Sequence, residues 1–159
     1  MAKLSAFCGL IALFALLGVA NAHAGHNFYV TGKVYCDNCA AGFPTRISPA
    51  ISGATVGVEC KDRAGKRLFY NEQHTDNDGL FSISVLGEHE HEACEAFTVS
   101  SPTSCNLKTD SSRGPVYLTH NNGINSDERK TGPFAFRPTT NHPACQAVLA
   151  EYNIYNDSD

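Results

Sequence analysis

Thr31-Gly32-Lys33-Val34-Tyr35-Cys36-Asp37-Asn38-Cys39-Ala40 ends an alternating stretch and sets two cysteines three positions apart. A C-x-x-C pair reads as a redox dithiol, as half of a zinc site, or as two anchors belonging to different disulfide bridges. The remaining cysteines, and the compartment in which the chain folds, bear on that choice.

Residues 1–24 contain one charge, Lys3, then an apolar run from Leu4 to Ala20, then small residues at alternate positions. That is the pattern of a secretory signal peptide. Ala20-Asn21-Ala22 and Ala22-His23-Ala24 both satisfy the small-x-small rule, so cleavage is expected after Ala22 or Ala24. The competing reading is a membrane anchor, since the run approaches the ~20 residues that span a bilayer. The Ala-x-Ala directly behind it favours export, and no later segment is long and apolar enough to span.

Removing residues 1–24 takes Cys8 and Lys3 away, leaving six cysteines and 11 Lys and Arg against 16 Asp and Glu, a net charge of −5. An even thiol count in an exported chain implies bridges. Residues 25–159 are enough for one domain with its own core. Mild acidity with scattered cations argues against nucleic acid or anionic membrane as a partner.

From Asn27 to Tyr35, Phe28, Val30 and Val34 face one way and Tyr29, Thr31, Lys33 and Tyr35 the other, which describes a half-buried strand. Gly42, Pro44 and Pro49 make residues 40–53 a surface loop. Ala54 to Lys61 alternates with Val56, Val58 and Cys60 on one face. A turn over Asp62 to Lys66 contains Gly65, and Arg67 to His74 is its returning partner. Thr75-Asp76-Asn77-Asp78-Gly79 gives a hairpin signal, and Leu80 to Leu86 follows with Phe81, Ile83 and Val85 together. Ala96 to Ser100 is expected to point Phe97 and Val99 inward. Thr103 to Arg113 has no assignable period, Pro115 to Thr119 is a short strand, 125–132 an exposed loop, and Phe134 and Phe136 alternate. Ala147 to Tyr155 fits either a strand or one helical face. The expectation is an all-β domain, an antiparallel sandwich or barrel of about seven strands.

Redox chemistry of the thioredoxin kind needs its first cysteine at a helix N-terminus, and here Gly42 and Pro44 follow a strand. Zinc is the stronger rival, because His142 and Cys145 could complete a tetrad with Cys36 and Cys39. Export favours oxidised sulfur over both. In Glu88-His89-Glu90-His91-Glu92 the two histidines would share a face on a strand, but H-E-x-x-H fails at Ala93. A solvated acidic loop is the preferred reading. Asp76-Asn77-Asp78-Gly79 lacks the acidic ligands an EF-hand needs at 74 and 85, which are His74 and Val85. No nucleophile elbow, phosphate loop or dinucleotide fingerprint is present. No catalytic residue, cofactor or metal is expected, and Asn156-Asp157-Ser158 is a weak glycan acceptor.

Gly32-Lys33-Val34-Tyr35-Cys36-Asp37-Asn38-Cys39 resembles the signature of the Ole e I-like family of plant extracellular proteins, the olive-pollen allergen family. The G-x-V-Y-C-D-x-C core is intact, while the arginine common after the second cysteine is replaced by Ala40. All six cysteines follow the family's order. Gly53-Ala54-Thr55-Val56, Thr75-Asp76 with Gly79, and Pro115-Val116-Tyr117-Leu118 through Gly123-Ile124 are also similar, most of all to grass pollen members. The resemblance implies a disulfide-stapled antiparallel β-barrel or sandwich over 25–159, with bridges Cys36–Cys105, Cys39–Cys145 and Cys60–Cys94. It further implies secretion to the pollen tube wall or apoplast and a role in pollen tube hydration and growth. The expected partners are a receptor-kinase ectodomain or a cell-wall component, and antibodies where the protein is an allergen. Two other functions compete: a structural wall component, and a hydrolase or hydrolase inhibitor using the His89 and His91 loop.

Overall fold

The computed structural model describes residues 27–153. The expected signal peptide, Cys8 and the Asn156 acceptor lie outside the described residues. Among the described residues, nine strands make two facing sheets, accompanied by one turn of 3-10 helix and one short α-helix.

β1 (Asn27–Cys36) is the spine of the first sheet. On one side it pairs antiparallel with β4 (Leu80–Leu86), from Asn27 opposite Leu86 to Lys33 opposite Leu80. On the other it pairs in parallel with β8 (Glu128–Lys130) and then with β9 (Phe134–Arg137), so its partner changes between Thr31 and Val34. β6 (Leu107–Lys108) completes the sheet beyond β9. The second sheet runs β3 (Arg67–His74), β2 (Thr55–Lys61), β5 (Ala93–Ser100), β7 (Arg113–Val116), antiparallel throughout. A 3-10 turn at Asp110–Ser112 leads into β7.

The period-2 residues supply the core. Phe28, Val30 and Val34 of β1, Phe81, Ile83 and Val85 of β4, and Val56, Val58 and Cys60 of β2 are buried between the sheets with Phe134 and Phe136. Branched and aromatic side chains pack well on a pleated surface, and each large one withdrawn from water contributes about 1.5–3 kcal/mol.

Of the two architectures expected, the structure is the sandwich and not the closed barrel: β3 touches β4 through Asn71 Nδ2 donating to the Ser84 carbonyl at 3.1 Å, but no ladder joins them. Other expectations change. The first sheet is mixed, because β8 and β9 lie parallel to β1. The Asp62–Lys66 turn closes a β2–β3 hairpin as expected. The Thr75–Gly79 turn is instead a corner between sheets, with Asp76 Oδ1 accepting from the amides of Asp78 and Leu80. Gly79 has φ +74°, and a Cβ there would lie 2.5 Å from the Val34 carbonyl oxygen, so only glycine fits the corner against β1.

β5 starts at Ala93, and its faces are reversed from expectation. Cys94, Ala96 and Thr98 point into the core, whereas Phe97 and Val99 lie half-buried on the outer face. The reason is register: Cys94 is opposite Cys60, which faces the core. Phe97 sits opposite Gly57 and occupies the space that a side chain there would need, 3.1 Å from an added Cβ. The exposed loop expected at 125–132 contains β8, and the ambiguous C-terminal stretch is helix α1 (Cys145–Glu151), which buries Val148 and Leu149.

Candidate functional site

Two regions concentrate the polar chemistry. The first surrounds the C-x-x-C stretch. Cys36 is bonded to Cys105 and Cys39 to Cys145, so the two sulfurs three positions apart belong to different bridges. The thiolates that a redox pair or a zinc tetrad with His142 would need are therefore consumed. Between them Asp37, 3 % exposed, accepts hydrogen bonds from the amides of Cys39 (3.4 Å), Ala41 (3.0 Å) and Gly42 (2.8 Å). This carboxylate folds the loop that carries Cys39 back towards α1. Ala40 is held at φ +53°, a left-handed conformation unfavourable for a residue with a Cβ. Tyr35, 2 % exposed, has no partner for its hydroxyl among the described residues. Burial, and then the Asp37 charge, push its pKa up to about 12.

The second region is the end of the sandwich where the 87–92 loop meets the segment from Tyr117 to Arg129. Arg129 on β8 is 4 % exposed. Its guanidinium donates to the carbonyls of Tyr117 (2.9 Å), Thr119 (2.7 Å), Glu128 (3.1 Å) and Ser126, and lies 4.6 Å from the centre of the Phe28 ring. One planar cation thus gathers a loop that has no ladder of its own. His120 stacks on the same ring, with centroids 4.7 Å apart. Its Nε2 is 2.9 Å from Asp127 Oδ1 and its Nδ1 2.8 Å from Glu88 Oε1. Those contacts, Asp127 first and Glu88 second, hold the imidazole above its ordinary pKa. Asn121 Nδ2 donates to Glu90 Oε2 at 2.8 Å, a further tie between the loops.

The Glu88–Glu92 run is a turn and not a strand, so His89 and His91 do not share a face. His89 is turned inward, with Nδ1 2.9 Å from Glu92 Oε2, Nε2 3.2 Å from the Leu86 carbonyl oxygen and its ring beside Phe69. His91 is exposed. A paired-histidine site has no basis in this geometry. His89 and Glu92 do lie beside Cys60 and Cys94, with all four potential ligand atoms within 4.8 Å of one another. The two sulfurs are bonded to each other, so the cluster offers one imidazole and one carboxylate already facing each other.

Arg129 and His120 were not singled out by sequence. Arg129 stands in the run Asp127-Glu128-Arg129-Lys130, and four consecutive charges give no sign that one of them is buried. His120 depends on the approach of Glu88, 32 positions away.

Comparison with known proteins fits the fold. Residues 26–153 match the family described as Pollen protein Ole e 1 like. Pollen allergen Che a 1 of Chenopodium album is 40% identical over 154 residues, covering 93% of this chain and 91% of that protein. The Olee1-like protein of Betula pendula is 36% identical over 156 residues, covering 92% and 91% respectively. The crystal structure of the major plantain pollen allergen Pla l 1 superposes with a TM-score of 0.66 at 32% identity, covering 75% of this chain and 99% of that one. None of these names states a catalytic activity. The match across the whole sandwich places the chain in the Ole e 1-like family of pollen proteins.

Proposed function

We propose that this protein is a secreted, non-enzymatic recognition module of pollen. It acts outside the cell during pollen tube hydration and growth as a ligand for a receptor-kinase ectodomain, and is itself an allergen recognised by antibodies. The observation that carries this reading is the combination of a sandwich pinned by three disulfides with loops tied by Arg129 and His120. Such a frame presents a fixed outer surface and lowers the entropy lost when a partner binds. The names of the relatives, pollen allergens in several plants, support the antibody partner. The amino-terminal signal pattern supports export, and no helix among the described residues is long and apolar enough to cross a membrane. The proposed cleavage follows Ala22 or Ala24, leaving the domain from residue 25 onward.

The test is saturable binding of the oxidised, purified protein to receptor ectodomains displayed from growing pollen tubes, read by surface plasmon resonance. Binding that is lost when the disulfides are reduced and alkylated supports the proposal. Absence of the protein from pollen and its extracellular fluid overturns it.

A further inference from the structure

We propose that the groove across the middle of β1, between the start of β4 and the Thr131–Pro133 turn, binds small apolar monocarboxylates. The groove follows from the pairing of β1. Its parallel partner changes from β8 at Thr31 to β9 at Val34, and residues Thr131, Gly132 and Pro133 make the step between them. A side chain at Gly32 would meet the Thr131 carbonyl oxygen at 2.5 Å and the Phe81 ring at 2.7 Å. Glycine therefore lets the turn lie close against β1, and the discontinuity in the sheet opens as a concavity of about 510 Å³. Pockets for small molecules fall in the range of roughly 300–1,000 Å³.

The lining fixes the class of ligand. Leu80, half-exposed, and Pro133 supply apolar walls, with Phe81 also contributing. Two cations, Lys33 and Lys130, stand among them, against a single carboxylate, Glu128. Glu128 is already engaged: Thr31 Oγ1 donates to its Oε1 at 2.8 Å, and Lys130 Nζ lies 4.0 Å from its Oε2. Lys33 is exposed and has no ion-pair or hydrogen-bond partner among the described residues. It is the register partner of Leu80, so cation and apolar wall are neighbours on one surface. A net positive lining in a chain of net charge −4 is a local reversal of sign. An anion with an apolar body satisfies both halves of it, because Lys33 is the cation left over once Lys130 faces Glu128 and it would repel a cationic head group.

The probe is decanoate, titrated by isothermal calorimetry into the oxidised protein at neutral pH, with decyltrimethylammonium as the charge-inverted control. One-to-one saturable binding of decanoate, at least about tenfold tighter than the cationic control, is expected. Lys33→Gln, a surface change, lowers decanoate affinity about tenfold and leaves the control unaffected. Leu80→Trp fills the groove from an exposed position and abolishes decanoate binding. Amide shifts confined to Gly32, Thr131 and Gly132 place the ligand in the groove. Equal affinity for the two probes, an unchanged Lys33→Gln variant, or no saturable binding overturns the proposal. Receptor binding is a separate readout and stands or falls independently.

Discussion

Replacing Arg129 with methionine keeps a side chain of similar length over Phe28 but removes every donor. In the wild type the guanidinium satisfies the carbonyls of Tyr117, Thr119, Ser126 and Glu128. A buried acceptor left without a partner costs about 1–3 kcal/mol. The loop is at the surface, so water re-enters and the lower end applies to each. At about 1 kcal/mol for each of two to four carbonyls, the loss is about 2–4 kcal/mol. Lysine at the same position retains charge but cannot serve several carbonyls in one plane, so Arg129→Lys recovers less than half of that. The assay is urea denaturation with the disulfides intact, wild type beside both variants, at constant m-value. Amide exchange from Tyr117 to Asp127 should accelerate in the variants before the β2–β5 ladder is affected. A change below about 0.5 kcal/mol for Arg129→Met, the range of ordinary surface substitutions, would refute the idea that this cation holds the loop.

Ala40→Gly releases the Cβ strain of a left-handed residue and is expected to stabilise the protein by about 1 kcal/mol despite the more flexible unfolded chain, measured by the same urea titration. Tyr35→Phe removes a buried hydroxyl with no partner among the described residues, and should leave stability unchanged or raise it by up to about 1 kcal/mol; a loss above that would mean the hydroxyl has a bonding role. His120 is raised in the fold by Asp127 and then Glu88, so its contribution to stability is complete below the unfolded imidazole value of about 6.5 and is lost as pH climbs through the raised value. The unfolding midpoint should therefore fall over that window in the wild type, and the fall should flatten in His120→Gln.

Strands with a clean period of two were legible. β1, β2 and β4 appear within a residue of their expected bounds, because Phe28-x-Val30, Val56-x-Val58-x-Cys60 and Phe81-x-Ile83-x-Val85 encode one buried face directly. β8 was not legible, since Glu128-Arg129-Lys130 carries no apolar residue and forms a strand only because β1 offers a free edge. The same edge imposes parallel pairing, which depends on where distant segments arrive. The β5 reversal has a different origin. Phe97 and Val99 are the larger apolar side chains, so hydrophobicity favours them for the core, but Cys94 must face Cys60, and Ala96 and Thr98 follow by alternation. The space vacated at Gly57 is what allows Phe97 outside. Helix α1 has only seven residues, too few for its period to separate from a strand's. At the candidate site, the C-x-x-C motif was visible, while the division of its sulfurs between two bridges came from family resemblance and not from spacing. The Arg129 and His120 contacts join positions whose partners only the fold brings near.

The covalent frame underlies the rest. The bridges close separations of 69, 106 and 34 residues, worth roughly 4–5 kcal/mol each as an upper, model-dependent figure from chain entropy. Peptide mapping of the purified protein without reduction tests it most directly. The expected result is three cross-linked peptide pairs, Cys36 with Cys105, Cys39 with Cys145 and Cys60 with Cys94, and no alkylatable thiol. A free sulfhydryl at any of the six positions, or a bridge between Cys36 and Cys39, would contradict it.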